Sequence, residues 1–246
     1  MAWQLTKSGI NRQNSRKDLG PASIIDHPYQ VLLMINGKPK CGGSIIRSNF
    51  ILTAAHCIHN VKVHQLQIRA GSTDRTLGGQ IREIQEMYYP DDKFNIDTYD
   101  FDIAILKLIE HLVFNEAVAS IELPTPGREI KEHDMAKATG WGMTDPLEST
   151  LPKILQVVKL PQISTSSCRK YYGNLISERM FCAGYEEGGK DTCLGDSGGP
   201  LVANNTLVGI TSWGGDICAQ AGKPGVFTKI SFFREFIDDI INNKII

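Results

Sequence analysis

The chain has 246 residues, with 26 Lys and Arg against 27 Asp and Glu, a formal net charge of −1 and 41% hydrophobic residues. At about 150 residues per domain, with all-β chains often reaching roughly 250 as one unit, this length predicts one or two domains with a sizeable core. The charge balance leaves no basic excess to neutralise a phosphate backbone, the 23 Gly and 11 Pro stay below the level of disordered chains, and no apolar run approaches the roughly 20 residues that span a bilayer, so neither nucleic-acid nor membrane partners are expected.

In chain order, the segment up to residue 18 is polar and basic (Lys7, Arg12, Arg16, Lys17) with no hydrophobic period. It reads as part of a leader over residues 1–27, ahead of a folded domain over 28–246. The opening Met1-Ala2-Trp3-Gln4-Leu5-Thr6-Lys7 lacks the apolar stretch of a signal peptide. Short β-rich runs then recur between turn signals at 31–35, 44–46, 50–53, 65–70 and 81–88. Asn36-Gly37 after the first of them is a hairpin signal. The pattern resumes at 103–108, 153–160, 201–203, 207–212 and 225–230, spaced as in an all-β barrel or sandwich. At the C-terminus Phe232, Phe236 and Ile240, with Phe233, Ile237 and Ile241 beside them, form an apolar stripe of helical period. That predicts a helix with Ser231 as N-cap, packed on the β structure.

Six cysteines stand at 41, 57, 168, 182, 193 and 218. Three disulfides would need an oxidising compartment and leave about 15 pairings open. The alternatives are reduced thiols, or a zinc site from Cys193, Cys218 and a histidine, although the chain holds no Cys-x-x-Cys pair.

Three segments carry candidate chemistry: Thr53-Ala54-Ala55-His56-Cys57, Tyr99-Asp100-Phe101-Asp102-Ile103, and Gly195-Asp196-Ser197-Gly198-Gly199-Pro200. Acyl transfer needs a hydroxyl nucleophile, an imidazole to take its proton and a buried carboxylate to hold the imidazole in the right tautomer. Asp102 opens an apolar run, where an unpaired charge is costly, so it is expected to have a partner.

These segments, in the order His, Asp, Ser, resemble the trypsin/chymotrypsin family of serine proteases. So do Pro28-Tyr29-Gln30, Cys41-Gly42-Gly43-Ser44, Gly140-Trp141-Gly142, Ser212-Trp213-Gly214 and Pro224-Gly225-Val226-Phe227. The resemblance implies an all-β fold of two packed six-stranded antiparallel β-barrels with a C-terminal helix. It implies the pairings Cys41 with Cys57, Cys168 with Cys182, and Cys193 with Cys218. It also implies a catalytic triad of Ser197, His56 and Asp102, an oxyanion hole from the N–H groups of Gly195 and Ser197, and an acyl-enzyme. Asp191, six residues before the serine, falls where the family places the floor of the pocket for the residue before the cut; a buried carboxylate there wants a cation, so Arg or Lys is expected at P1. Ser212, Gly214 and Gly225 would line that pocket. The expected enzyme is a serine endopeptidase, secreted and monomeric, acting on proteins or peptides and open to protein protease inhibitors, without a cofactor.

Two departures from the family pattern stand out. Ser212-Trp213-Gly214-Gly215-Asp216-Ile217-Cys218 has one residue more than the usual spacing, putting Ile217 where trypsins keep glycine, with Leu194 on the opposite rim. Family activation releases an Ile-Val-Gly-Gly-like terminus whose ammonium pairs with the aspartate before the serine, here Asp196. No such tetrapeptide precedes Pro28, and cleavage at Arg16-Lys17 would leave Asp18-Leu19-Gly20-Pro21. A competing expectation is therefore a protease homologue with an intact triad and little activity, acting as a binding or decoy protein. The stretch 69–82, where many relatives hold calcium, offers Asp74 among Arg69, Arg75 and Arg82, so no metal is expected. Asn204-Asn205-Thr206 is a glycosylation sequon in an expected hairpin turn.

Overall fold

The structure, a computed structural model, describes residues 19–145 and 150–242. Strands β2 (Gln30–Ile35), β3 (Lys38–Arg47), β4 (Phe50–Thr53), β5 (Leu66–Ala70), β6 (Gln80–Tyr88) and β7 (Ala104–Leu108) close a barrel in the order β2-β3-β4-β7-β6-β5. Asn36 and Gly37 both take positive φ, 51° and 73°, which gives the predicted turn between β2 and β3. The second barrel consists of β8 (Met135–Gly140), β9 (Gln156–Ile163), β10 (Met180–Ala183), β11 (Pro200–Ala203), β12 (Thr206–Trp213) and β13 (Gly225–Lys229). It runs β9-β10-β13-β12-β11-β8 and closes through the β8–β9 pairing. All the strand pairings within both barrels are antiparallel, so the expected architecture is the one found.

Strand β2 is buried on both faces because it lies between two cores. Val31 and Leu33 point into the first barrel with Ile45, Ile51, Ile68 and Ile105, whereas Leu32 and Met34 pack between the barrels on Trp141 and Leu155. The polar residue of the strand, Gln30, is fully buried and accepts a 2.6 Å hydrogen bond from Thr139 Oγ1 of the second barrel. A buried amide with both ends satisfied costs little and fixes the docking register of the two barrels. Its own Nε2 donates to Val31 O at 3.0 Å.

The leader expected over residues 1–27 divides in the structure. Residues 1–18, including Arg16 and Lys17, lie outside the described residues. Leu19–Pro21 forms strand β1, antiparallel to Gln156–Val158 of β9, and Ile24 is buried with Leu32, Met34, Trp141 and Leu155. The C-terminal helix also differs in detail. It spans Arg234–Ile241 with Phe233 at the N-cap position, and Ser231 makes no cap; Phe232 and Phe233 are instead held by turn hydrogen bonds to Lys229 O and Ile230 O. Phe233, Ile237 and Ile240 turn into the core, Phe236 and Ile241 pack against it partly buried, and Phe232 stays 43% exposed. A further helix, Thr165–Tyr172, is capped by Ser164, whose Oγ accepts from Ser167 N. The Asn204-Asn205-Thr206 sequon occupies the turn between β11 and β12, with both asparagines exposed and at positive φ.

Candidate active site

The residues singled out from sequence converge where the two barrels meet. His56 lies on a single 3₁₀ turn, Ala55–Cys57, directly after β4, and the Cys41–Cys57 disulfide ties that turn back to β3. Asp102 stands just before β7, which pairs with β4, so the neighbouring strands deliver both side chains to one end of the first barrel. Asp102 is 1% exposed and fully committed. Its Oδ1 accepts from His56 N at 2.9 Å, and its Oδ2 accepts from His56 Nδ1 at 2.7 Å and from Ser212 Oγ at 2.5 Å. This gives the buried carboxylate the partner that its apolar surroundings demand, and it turns Nε2 away from Asp102, to 3.7 Å from Cys57 Sγ. Tyr99 adds an edge contact to the imidazole, 5.3 Å between ring centres.

Ser197 comes from the second barrel, on the loop before β11. Two turns shape that loop: Asp196 N donates to Cys193 O and Gly199 N to Asp196 O, both at 2.9 Å. Gly195 has φ +102°, a conformation that side-chain-bearing residues rarely take. Among the described residues, neither the N–H of Gly195 nor that of Ser197 donates to another protein group. The loop is docked on the first barrel by Gly42 N, which donates to Ser197 O at 2.7 Å. A Cβ on Gly42 would come within 2.8 Å of Gly199 Cα, so the Cys41-Gly42-Gly43-Ser44 motif is where the two backbones need room. Ser197 and His56 line one cavity of about 670 Å³, and among the described residues no hydrogen bond joins Ser197 Oγ to the imidazole.

Asp191 lies on the same cavity, with Gly214 and Gly225 along the wall. A Cβ on Gly225 would approach Asp191 Oδ1 to 2.7 Å, so glycine there keeps access to the carboxylate open. Among the described residues no cation pairs with Asp191; Oδ1 accepts from Thr192 N at 2.8 Å and Oδ2 from Ala219 N at 3.4 Å. Burial pushes the Asp191 carboxyl up to about 7, with the nearby Asp196 adding to the effect. Ile217 is 55% exposed, and Asp216 of the same loop lines the cavity. Leu194, 68% exposed, does border it.

A cation docked against the Asp191 carboxyl would bind in a pH-dependent way. A guanidinium or benzamidinium ligand favours the ionised carboxylate, so its binding is expected to release a proton and to tighten as pH rises through about 7. Competitive inhibition by benzamidine across pH 5–8 measures this, and Asp191→Asn should flatten the profile. An unchanged profile in that variant would assign the titration to another group.

Asp196 points the other way, into a second cavity of about 70 Å³ that also touches Gly142, Val157, Val158 and Asp191. Its Oδ1 accepts from Gly142 N at 2.8 Å and its Oδ2 from Cys193 N at 3.0 Å. Burial raises its carboxyl to about 6. The Cys193–Cys218 disulfide closes the loop that holds Asp191 and Asp196 against the segment after β12, and Cys168–Cys182 staples the Thr165–Tyr172 helix to β10. All six cysteines are paired as the resemblance implies, which replaces the open alternatives of free thiols and a zinc site.

The trypsin family model matches residues 19–237. The chain belongs to the trypsin family. It is 40% identical over 223 residues to the vitellin-degrading protease of Bombyx mori, covering 89% of this chain and 83% of that one. It is 38% identical to trypsin 5G1 of Aedes aegypti, over 87% of this chain and 80% of the relative. It is 39% identical to trypsin-4 of Rattus norvegicus, over 88% and 86%. It is accordingly a serine endopeptidase, a hydrolase with protein or peptide substrates.

For this trypsin-family chain, the supporting roles of Thr228, Thr53 and Tyr99 had no signal in the sequence, although the last two stand within the quoted segments. Thr228 Oγ1 donates to Asp102 O at 2.8 Å and Thr53 Oγ1 to Gly42 O at 2.8 Å, each holding backbone beside a candidate residue. Tyr99 sits within the quoted Asp102 segment, and its left-handed φ of 54° is a property of the fold that its residue type does not announce.

Proposed function

We propose that this trypsin-family endopeptidase cleaves peptide bonds after Arg or Lys by a Ser197-His56-Asp102 triad through an acyl-enzyme. The observation that carries the reading is Asp191: a carboxylate with no cationic partner among the described residues, on the cavity that Ser197 and His56 share. A P1 guanidinium or ammonium would neutralise it, and the long side chain would set the scissile carbonyl beside Ser197 Oγ. His56 Nε2 then takes the hydroxyl proton as Oγ bonds to the carbonyl carbon. The N–H groups of Gly195 and Ser197 receive the developing oxyanion, each such donor being worth about 3 to 4 kcal/mol where it has been removed. The imidazolium gives its proton to the leaving amine, the C–N bond breaks, and Ser197 is left acylated. Water, deprotonated by the same imidazole, then bonds to the acyl carbon, and the imidazolium returns the proton to Oγ as the C–Oγ bond breaks. Asp102 stabilises the imidazolium throughout without taking the proton. Ser212 and Gly214 complete the substrate wall.

Asp196 is proposed as the partner of an activation ammonium in a zymogen. Support comes from β1, which pairs with Gln156–Val158, the same strand residues that border the Asp196 cavity, so a terminus freed just ahead of β1 at Arg16-Lys17 would start close to it. The three disulfides fit an extracellular protein. The enzyme is proposed to act as a monomer, with protein inhibitors entering the same cleft. Labelling with a fluorophosphonate tests the whole reading: one adduct, located at Ser197 and suppressed by benzamidine, is expected. No adduct after controlled cleavage ahead of Leu19 would overturn it in favour of a non-catalytic binding role.

A further inference from the structure

The segment that presents Asp102 to His56 is held in an unfavourable conformation. Tyr99 and Phe101 both take left-handed φ, 54° and 57°, which bulky side chains rarely adopt. Asp100, between them, is gripped from the other barrel. Arg179, one residue before β10, donates Nε to Asp100 Oδ1 and Nη2 to Asp100 Oδ2, both at 2.7 Å. Ser177 Oγ donates to Oδ1 at 2.8 Å, and Phe101 N donates to the same oxygen at 3.1 Å. The guanidinium is itself fixed in place, 4.5 Å from the centre of the Phe101 ring and 5.6 Å from that of Phe232, while Nη1 reaches Glu178 Oε1 at 3.0 Å. Burial works against ionisation of Asp100, but the hydrogen bonds from Arg179 and Ser177 outweigh it and hold the carboxyl below its ordinary range.

We infer that Arg179 is a positioning residue for catalysis, its two-pronged ion pair with Asp100 holding residues 99–102 so that Asp102 and Tyr99 address His56. The inference rests on the triad reading. A planar fork on a carboxylate fixes direction as well as distance, which a lysine cannot do. Thr228 and Ser212 also hold Asp102 from the second barrel, so the grip on Asp100 sets the approach of the segment while those two bonds set the end of it.

The test compares wild type, Arg179→Met, Arg179→Lys, Asp100→Asn and the Asp100→Asn/Arg179→Met double variant. Rates are expressed per active site titrated with fluorophosphonate, with the melting temperature followed in parallel. Arg179→Met is expected to lower kcat roughly 10- to 100-fold, as for a sub-ångström misplacement of reacting groups, with KM nearly unchanged. The acid limb of kcat/KM should move as well, a readout that a purely structural role would leave in place. Arg179→Lys should fall in between, and the double variant should lose no more than the worse single one. Asp100→Asn, nearly isosteric, carries the same test should Arg179→Met fail to fold. Unchanged kcat per site and an unmoved acid limb, with only the melting temperature lowered, would make the pair merely structural and overturn the inference. Hydrolysis that survives Ser197→Ala would instead overturn the triad reading, and this inference with it.

Discussion

Ser197→Ala is expected to lower kcat by on the order of 10⁶-fold, about 8 kcal/mol of transition-state stabilisation, while leaving KM for an Arg peptide close to that of the wild type. The size follows from how the three side chains work as a unit. His56 is already committed to Asp102 through a 2.7 Å hydrogen bond, so without the hydroxyl it holds a proton acceptor with no nucleophile to deprotonate. Binding should be spared because, on the proposed reading, the P1 cation is held by Asp191 and by the wall at Gly214 and Gly225, none of which the substitution alters. For the same reason His56→Ala should cost a similar amount, and the double variant little more than either single one. Turnover of a fluorogenic Arg amide, with inhibitor binding measured in parallel, checks both halves. A Ser197→Ala protein losing less than about 100-fold would move the nucleophile elsewhere, since a single positioned donor can account for a loss of that size.

Asp191→Asn carries the second largest effect, and it acts on selectivity. Removing one partner of a buried ion pair typically costs about 3 to 5 kcal/mol, which for an Arg or Lys substrate is roughly two to four powers of ten in kcat/KM. Substrates with an uncharged P1 residue should change little, so the ratio between the two classes collapses. The same substitution should affect stability in the opposite sense. With its carboxyl raised from 3.8 to about 7, the folded protein binds a proton that the unfolded chain has lost, so this group's contribution falls as pH rises from 4 to 7. Asparagine does not titrate, and the free variant should therefore be more stable than the wild type at pH 8 and show less difference at pH 4. Thermal melts at the two pH values, alongside kcat/KM for matched Arg and Phe substrates, separate the two consequences. A variant with an unaltered Arg preference would place the specificity pocket away from Asp191.

Much of the architecture was legible from residue order. The apolar runs that became β2, β4, β5, β6 and β7 lie within two residues of their expected limits, and the Asn36-Gly37 turn occurs as its residue types demand. These are segments where β-branched and aliphatic residues, bounded by turn formers, leave few alternatives to an extended strand. Strands β8 and β10 were not legible. Met-Ala-Lys-Ala-Thr-Gly and Met-Phe-Cys-Ala carry few β-branched residues, and they are strands because neighbours β9, β11 and β13 supply their hydrogen bonds. The C-terminal helix was legible, but its start was set by the packing of Phe233 against Phe101 rather than by the capping preference of Ser231.

At the site, residue types in the order His, Asp, Ser identified His56, Asp102 and Ser197 as candidates, because few combinations of side chains perform acyl transfer, and the family resemblance those segments carry added Asp191. Chain order alone carries no distance. That Asp102 meets His56 across 46 positions, that Ser212 reaches the same carboxylate across 110, and that Arg179 grips Asp100 across 79 are outcomes of two closed barrels docked through Gln30 and Gly42. Long-range contacts of this kind depend on the sum of packing over both cores, which no local run of residues encodes.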